Sequence, residues 1–74
     1  MSHSRQPRLF DLVAVLNSAG EPGVEVGDVG TVVELLPPDG LEVEFLDRAG
    51  RTRGLATFAE NDVLVLNRER TRVA

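Results

Sequence analysis

The residue types that could carry chemistry in this chain are few, and the only histidine is the first to consider. His3 lies between Ser2 and Ser4, and histidine and serine are the types that act as base and nucleophile in acyl transfer. Catalytic groups must be held rigidly by their surroundings. Residues 1–8 are polar, lack the apolar stretch of a secretory signal, and are predicted to form a disordered N-terminal tail. We therefore expect no hydrolase.

A carboxylate pair and metal binding are the other chemical options. Glu42 and Glu44 alternate on one predicted strand and could in principle divide acid and base roles. A domain this small is not expected to form a pocket deep enough to perturb them, so they are interpreted as solvated surface. The chain has no cysteine and one histidine, too few ligands for a zinc site. The sequence predicts a protein that is not an enzyme and that uses no metal or cofactor.

A glycine-bearing motif, Gly27-Asp28-Val29-Gly30, has some likeness to a phosphate-binding loop. No lysine follows it, its one charge is acidic, and the next element is a predicted strand, not a helix N-terminus. We interpret the motif as a tight turn in which the glycines allow unusual dihedrals or a close backbone approach.

Arginine and phenylalanine are the residue types here that could anchor a partner. One arginine group lies on a predicted hairpin, where acidic neighbours would form weak surface pairs with it. A second group alternates through the polar C-terminal tail, residues 68–74, so its side chains would face one way in an extended chain. Phe45 is expected in the core. The candidates for partner contact are Phe10, Arg51, Arg53, Phe58, Arg68, Arg70 and Arg72.

Length and composition exclude several classes of protein. With 74 residues, 42% of them hydrophobic and 27% charged, the chain is expected to form one small folded domain. Eight arginines and twelve acidic residues give a net charge of -4, which disfavours binding to nucleic-acid phosphates. The longest apolar run, residues 12–16, is far too short to cross a bilayer. A cytoplasmic protein is expected.

Short Val- and Leu-rich runs between turn residues predict five β-strands. The clearest run is residues 41–46, where apolar and acidic side chains alternate. The fourth run ends at Phe58, and residues 59–62 are predicted to form one helical turn. The other predicted strands are residues 11–17, 30–36 and 63–67.

The turn after residue 46 determines the register of the next strand. Asp47 and Gly50 occupy the first and fourth positions, which is typical of a type I turn closed by a glycine bulge. The resulting three-residue loop would pair Phe45 with Arg53 and place Leu55 on the core side. Thr57 would lie on the same side. We favour this register because it buries a leucine; a four-residue loop would bury the other set of side chains, Thr52, Gly54 and Ala56.

A chain this short cannot leave long apolar edges in water, so we expect the strands to curl together. The prediction is an all-β fold, a small five-stranded SH3-like partly open barrel over residues 9–67. An OB-like barrel is the alternative, and it is weakened by the lack of a helix between the third and fourth strands.

Three blocks carry a resemblance to a known family: LFDLVAVL at residues 9–16, VGDVGTVVE at 26–34, and EVEFLD with Gly50-Arg51-Thr52. Together they resemble the short bacterial proteins of domain-of-unknown-function family 4926. The resemblance implies a compact SH3-like β protein with no established activity, often encoded beside other small genes and hence acting with a paired partner. The glycine turn is also similar to that of KOW-type modules.

These observations predict a non-enzymatic module that binds another protein through a barrel face and an open strand edge. The alternative is a KOW-like domain that contacts RNA or ribosomal components through the glycine turn and the arginine hairpin. Homodimerisation through strand edges is compatible with either function.

Overall fold

The computed structural model describes residues 6–66, and in this part of the chain five strands form one antiparallel sheet. The strand order is β4-β3-β2-β1-β5. A 3₁₀ turn, Glu60–Asp62, connects β4 to β5, as predicted. The predicted strands are all present, and most of their ends differ by one or two residues at most. The strands are β1 (Leu12–Val15), β2 (Val29–Leu36), β3 (Gly40–Leu46), β4 (Thr52–Ala59) and β5 (Val63–Val65).

The sheet is curled but not closed. Strands β4 and β5 are its two edges, and each pairs with a single neighbour among the described residues. The prediction of an all-β, small, partly open barrel is therefore confirmed. A tight turn joins β3 to β4 directly, so this connection lacks the helix that is expected there in an OB-like barrel. The strand order is compatible with the SH3-like arrangement, which stays a prediction.

The core is formed by the inward side chains of all five strands. The residues of β3 alternate as expected, with Leu41, Val43 and Phe45 buried. The rings of Phe45 and Phe58 pack edge to face, with centroids 6.2 Å apart and an interplanar angle of 77°. The other buried apolar residues are Val13, Val15, Val32, Ala56 and Val63.

The turn between β3 and β4 has the predicted type. The backbone N–H of Asp47 donates to Arg51 O at 2.8 Å, and Gly50 N donates to Asp47 O at 2.9 Å. The Asp47 carboxylate also accepts hydrogen bonds from Ala49 N and Arg51 N. Gly50 has φ of +83°, a conformation that is strained for any residue with a Cβ. The turn is thus a three-residue loop closed by a glycine.

The register beyond this turn differs from the prediction. Leu46 lies opposite Thr52 as the loop requires, but the next pair is Phe45 with Gly54, so Arg53 is an extra, bulged residue. The shift places Ala56 and Phe58 in the core, and the predicted inward face, Leu55 and Thr57, is wrong. The observed register buries a phenylalanine in place of a leucine and leaves the Thr57 hydroxyl in water, which is energetically better on both counts.

Truncation of β4 side chains tests this register. We expect Phe58→Ala to lower the free energy of unfolding by about 3–5 kcal/mol, because it removes a ring from the core. Leu55→Ala is the matched control and should change stability by less than about 1 kcal/mol, since Leu55 is 55% exposed. Urea denaturation measures both variants. A larger loss for Leu55→Ala than for Phe58→Ala would restore the register favoured from the sequence.

Candidate functional site

Large apolar side chains cluster on the outer face of the sheet, the face turned away from the core. The register places Leu12 opposite Thr31, and it places Ala14 between Val29 and Leu64. Cross-strand partners lie on the same side of a sheet, so these side chains form one surface. The three large apolar ones are 43–50% exposed. We call this surface the apolar face; its members are Leu12, Ala14, Val29 and Leu64.

The apolar face arises because β1 is apolar at every position. Val13 and Val15 point inward and are buried, so the residues that alternate with them, Leu12 and Ala14, must point outward. Scattered exposed leucines are ordinary on a protein surface, whereas a contiguous group across three strands is typical of an interaction site. The fold thus leaves apolar area that the described part of the chain does not cover.

An exposed aromatic residue precedes β1. Phe10 lies in a turn in which Arg8 N donates to the buried Asp11 carboxylate at 2.8 Å and Asp11 N donates to Arg8 O at 3.1 Å. The Phe10 N–H donates to Val32 O at 2.7 Å, which ties this turn to β2. Phe10 has φ of +70° and is 73% exposed. A bulky residue in the left-handed region is a strained outlier, and such outliers concentrate at functional sites.

Three glutamates occupy the outer face of the neighbouring strands. Glu34 in β2 lies directly opposite Glu42 in β3, and Glu44 lies opposite Thr31. Glu44 accepts a hydrogen bond from the Thr52 hydroxyl. Directly opposed like charges destabilise a sheet, and an approaching cation would relieve the repulsion. We call Glu34, Glu42 and Glu44 the acidic row; it adjoins the apolar face through Thr31, which lies between Leu12 and Glu44.

Arg53, predicted to contact a partner, is exposed and makes contacts within the domain. Its guanidinium donates to Gly23 O at 3.0 Å, approaches the Asp28 carboxylate at 3.5 Å, and lies 5.5 Å from the centroid of the Phe45 ring. These contacts tie the β3–β4 hairpin to the loop between β1 and β2. The ion pair is partly exposed and contributes little by itself. The position of Arg53 indicates a role in closing one end of the core.

The glycine motif forms the tight turn that was expected. Asp28 N donates to Glu25 O at 3.0 Å, and Gly27 has φ of +96°. At Gly30 a Cβ atom would lie 2.6 Å from Val43 Cγ1 and 2.7 Å from Glu44 O. At Gly30, strand β2 therefore approaches residues of β3 so closely that only glycine fits, which accounts for Gly30 without a ligand.

The remaining candidate residues separate into three groups. Phe58 is 2% exposed and packs in the core, so the expectation that it serves as an interface anchor is wrong. Arg51 is exposed and directly precedes β4. Arg68, Arg70 and Arg72 lie outside the described residues, as do His3 and its flanking serines.

Within residues 6–66, no group of three or more His, Cys, Asp or Glu side chains is placed to hold a metal ion. No helix in the same range is long and apolar enough to cross a membrane.

Fold and surface together define a small, partly open β-barrel whose outer face joins an apolar area to an acidic one. A family model described as Domain of unknown function (DUF4926) matches residues 9–65, and the chain belongs to this family. No curated protein and no solved structure matches the chain.

The apolar face and the role of Asp11 were not predicted from the sequence. The sequence indicates this face at residues 12–16, because successive apolar residues make both sides of a strand apolar. Asp11 was included in the first predicted strand, although aspartate is depleted in strands and favoured in turns. An aspartate just before an apolar run could have indicated the turn that holds Phe10.

Glycine substitutions test the close approach of β2 and β3. We expect Gly30→Ala to lower the free energy of unfolding by about 1–3 kcal/mol, because the new methyl group would overlap a side chain and a backbone carbonyl. Gly54→Ala is the matched control, since a Cβ there meets nothing within 4 Å. It should leave stability unchanged or slightly raised. Equal melting temperatures for the two variants would contradict the account of Gly30.

Proposed function

We propose that this domain is a non-enzymatic module that binds another protein through its outer sheet face. The observation that carries the proposal is the contiguous apolar face, with the strained and exposed Phe10 at the turn that leads into it. Exposed aromatic side chains are frequent anchors of protein interfaces. The backbone that carries the apolar side chains is already ordered in the sheet, so binding requires no backbone ordering there.

The charge of the domain indicates the chemistry of the partner. Residues 6–66 contain four arginines and eleven carboxylates. The acidic row adjoins the apolar face, so a complementary surface would carry apolar residues flanked by arginine or lysine. Such a partner would cover the apolar side chains and also relieve the repulsion between Glu34 and Glu42.

The RNA-binding alternative has less support. Phosphate contacts require several free cations, and Arg53 is already engaged with Gly23 and Asp28. The glycine turn offers an acidic side chain, Asp28, where an RNA-binding loop would need positive charge.

Nucleic-acid affinity therefore provides a direct check. We expect single-stranded RNA and duplex DNA to bind with a Kd no tighter than about 10⁻⁴ M at physiological salt, because repulsion from the acidic surface opposes binding. Fluorescence anisotropy with labelled oligonucleotides measures this value. Micromolar binding that weakens steeply as salt increases would favour the RNA-binding alternative.

Phe10→Asn separates binding from folding. Asparagine tolerates positive φ better than phenylalanine, so the melting temperature should be unchanged or higher, while the aromatic anchor is lost. A partner would first be captured from the host and identified, and its Kd then measured by calorimetry with the purified proteins. We expect the variant to bind roughly thirtyfold more weakly, which corresponds to about 2 kcal/mol.

Val26→Asn is the matched control for this experiment. Val26 is an exposed apolar residue in the loop between β1 and β2, at the opposite end of β1 from Phe10. The Val26→Asn variant should bind the partner with the same Kd as the parent protein. Equal affinity of the two variants would show that the partner does not use Phe10, and an anchor role for this residue would then be abandoned.

A further inference from the structure

The open edge of β4 differs from the other edge of the sheet. Strand β4 has eight residues, and the described residues include no strand on its outer side, whereas β5 has only three residues. Natural sheets protect long edges with proline, lysine, β-bulges or very short strands, and the one bulge of β4 lies near its beginning, at Arg53, which leaves Gly54 to Ala59 regular. Strand β4 has no proline and the whole chain has no lysine. The fold thus leaves one long row of backbone donors and acceptors available to another strand.

We propose that β4 pairs antiparallel with β4 of a second copy of this chain. A two-fold axis perpendicular to the sheet near Ala56 would join the two outer faces into one continuous surface. In this arrangement Leu55, half-exposed in one copy, would lie beside Leu55 or Thr57 of the second copy. The proposal does not depend on the proposed function, because it uses the sheet edge and not the apolar face.

The charges at the two ends of β4 favour a second copy as the occupant. Arg51 directly precedes the strand, and Glu60 directly follows its end. Antiparallel pairing about a two-fold axis brings the basic end of each strand beside the acidic end of the other. A parallel arrangement would bring like charges together. Both ends of the symmetric interface are therefore electrostatically complementary.

Sedimentation equilibrium tests the proposal, with the parent protein expected to approach twice its mass of 8.0 kDa as concentration rises. Arg51→Glu and Glu60→Arg should each weaken dimerisation by about tenfold, because each change places repulsive pairs at two symmetric contacts. The double variant carrying both changes exchanges the two charges and should recover the dimer. Arg48→Glu makes the same change on the turn, away from the strand edge, and should dimerise like the parent.

The double variant, in which the two charges are exchanged, distinguishes a loss of dimerisation from a loss of folding. Recovery in the double variant supports β4 pairing, since a loss of fold would not be repaired by a second reversal. The proposal would be overturned if the parent protein stayed monomeric across the concentration range. It would also be overturned if the substitutions at Arg51 and Glu60 left the dimerisation constant unchanged. Phe10→Asn should dimerise normally, so failure of the partner-binding proposal and failure of this one can be told apart.

Discussion

The packing around the Phe45 ring is the interaction on which the rest of this small barrel depends. The ring packs edge to face with that of Phe58 from β4, and a Cβ atom on Gly30 of β2 would lie only 3.0 Å from the Phe45 ring. The guanidinium of Arg53 lies near the same ring. One side chain thus fixes the spacing of three strands and the position of a bulge. A 74-residue chain has little reserve stability, so such a shared contact matters more here than in a larger core.

The bulge at Arg53 connects this core to the surface. One extra residue in β4 reverses the direction of every side chain that follows, which sends Phe58 inward and Leu55 outward. The same bulge allows the long Arg53 side chain to reach Gly23, thirty residues away in sequence. The bulge that places Phe58 in the core therefore also determines which β4 side chains lie on the outer face.

Most of the strands and the β3–β4 turn were predictable because their causes are local. Alternating residues specify β3, and the Asp47 carboxylate and Gly50 specify the turn within a few positions. The register of β4 was not predictable in this way, since the bulge depends on contacts of Arg53 with a distant loop and with Phe45. The apolar face escaped prediction for a related reason: in β1 both faces are apolar, so the pattern does not indicate which residues are left in water.

The strain at Phe10 is the strongest physical argument that the outer surface meets something else. A left-handed conformation for this residue costs on the order of 1–3 kcal/mol, a substantial fraction of the stability of a small domain. The hydrogen bonds of Arg8, Phe10 and Asp11 hold the backbone in this conformation, yet they would form equally well with glycine or asparagine at the same position. The exposed ring gains little from its own fold. A surface that buries the ring would supply the missing stabilisation, and this makes an interface the most economical reason for a phenylalanine at this turn.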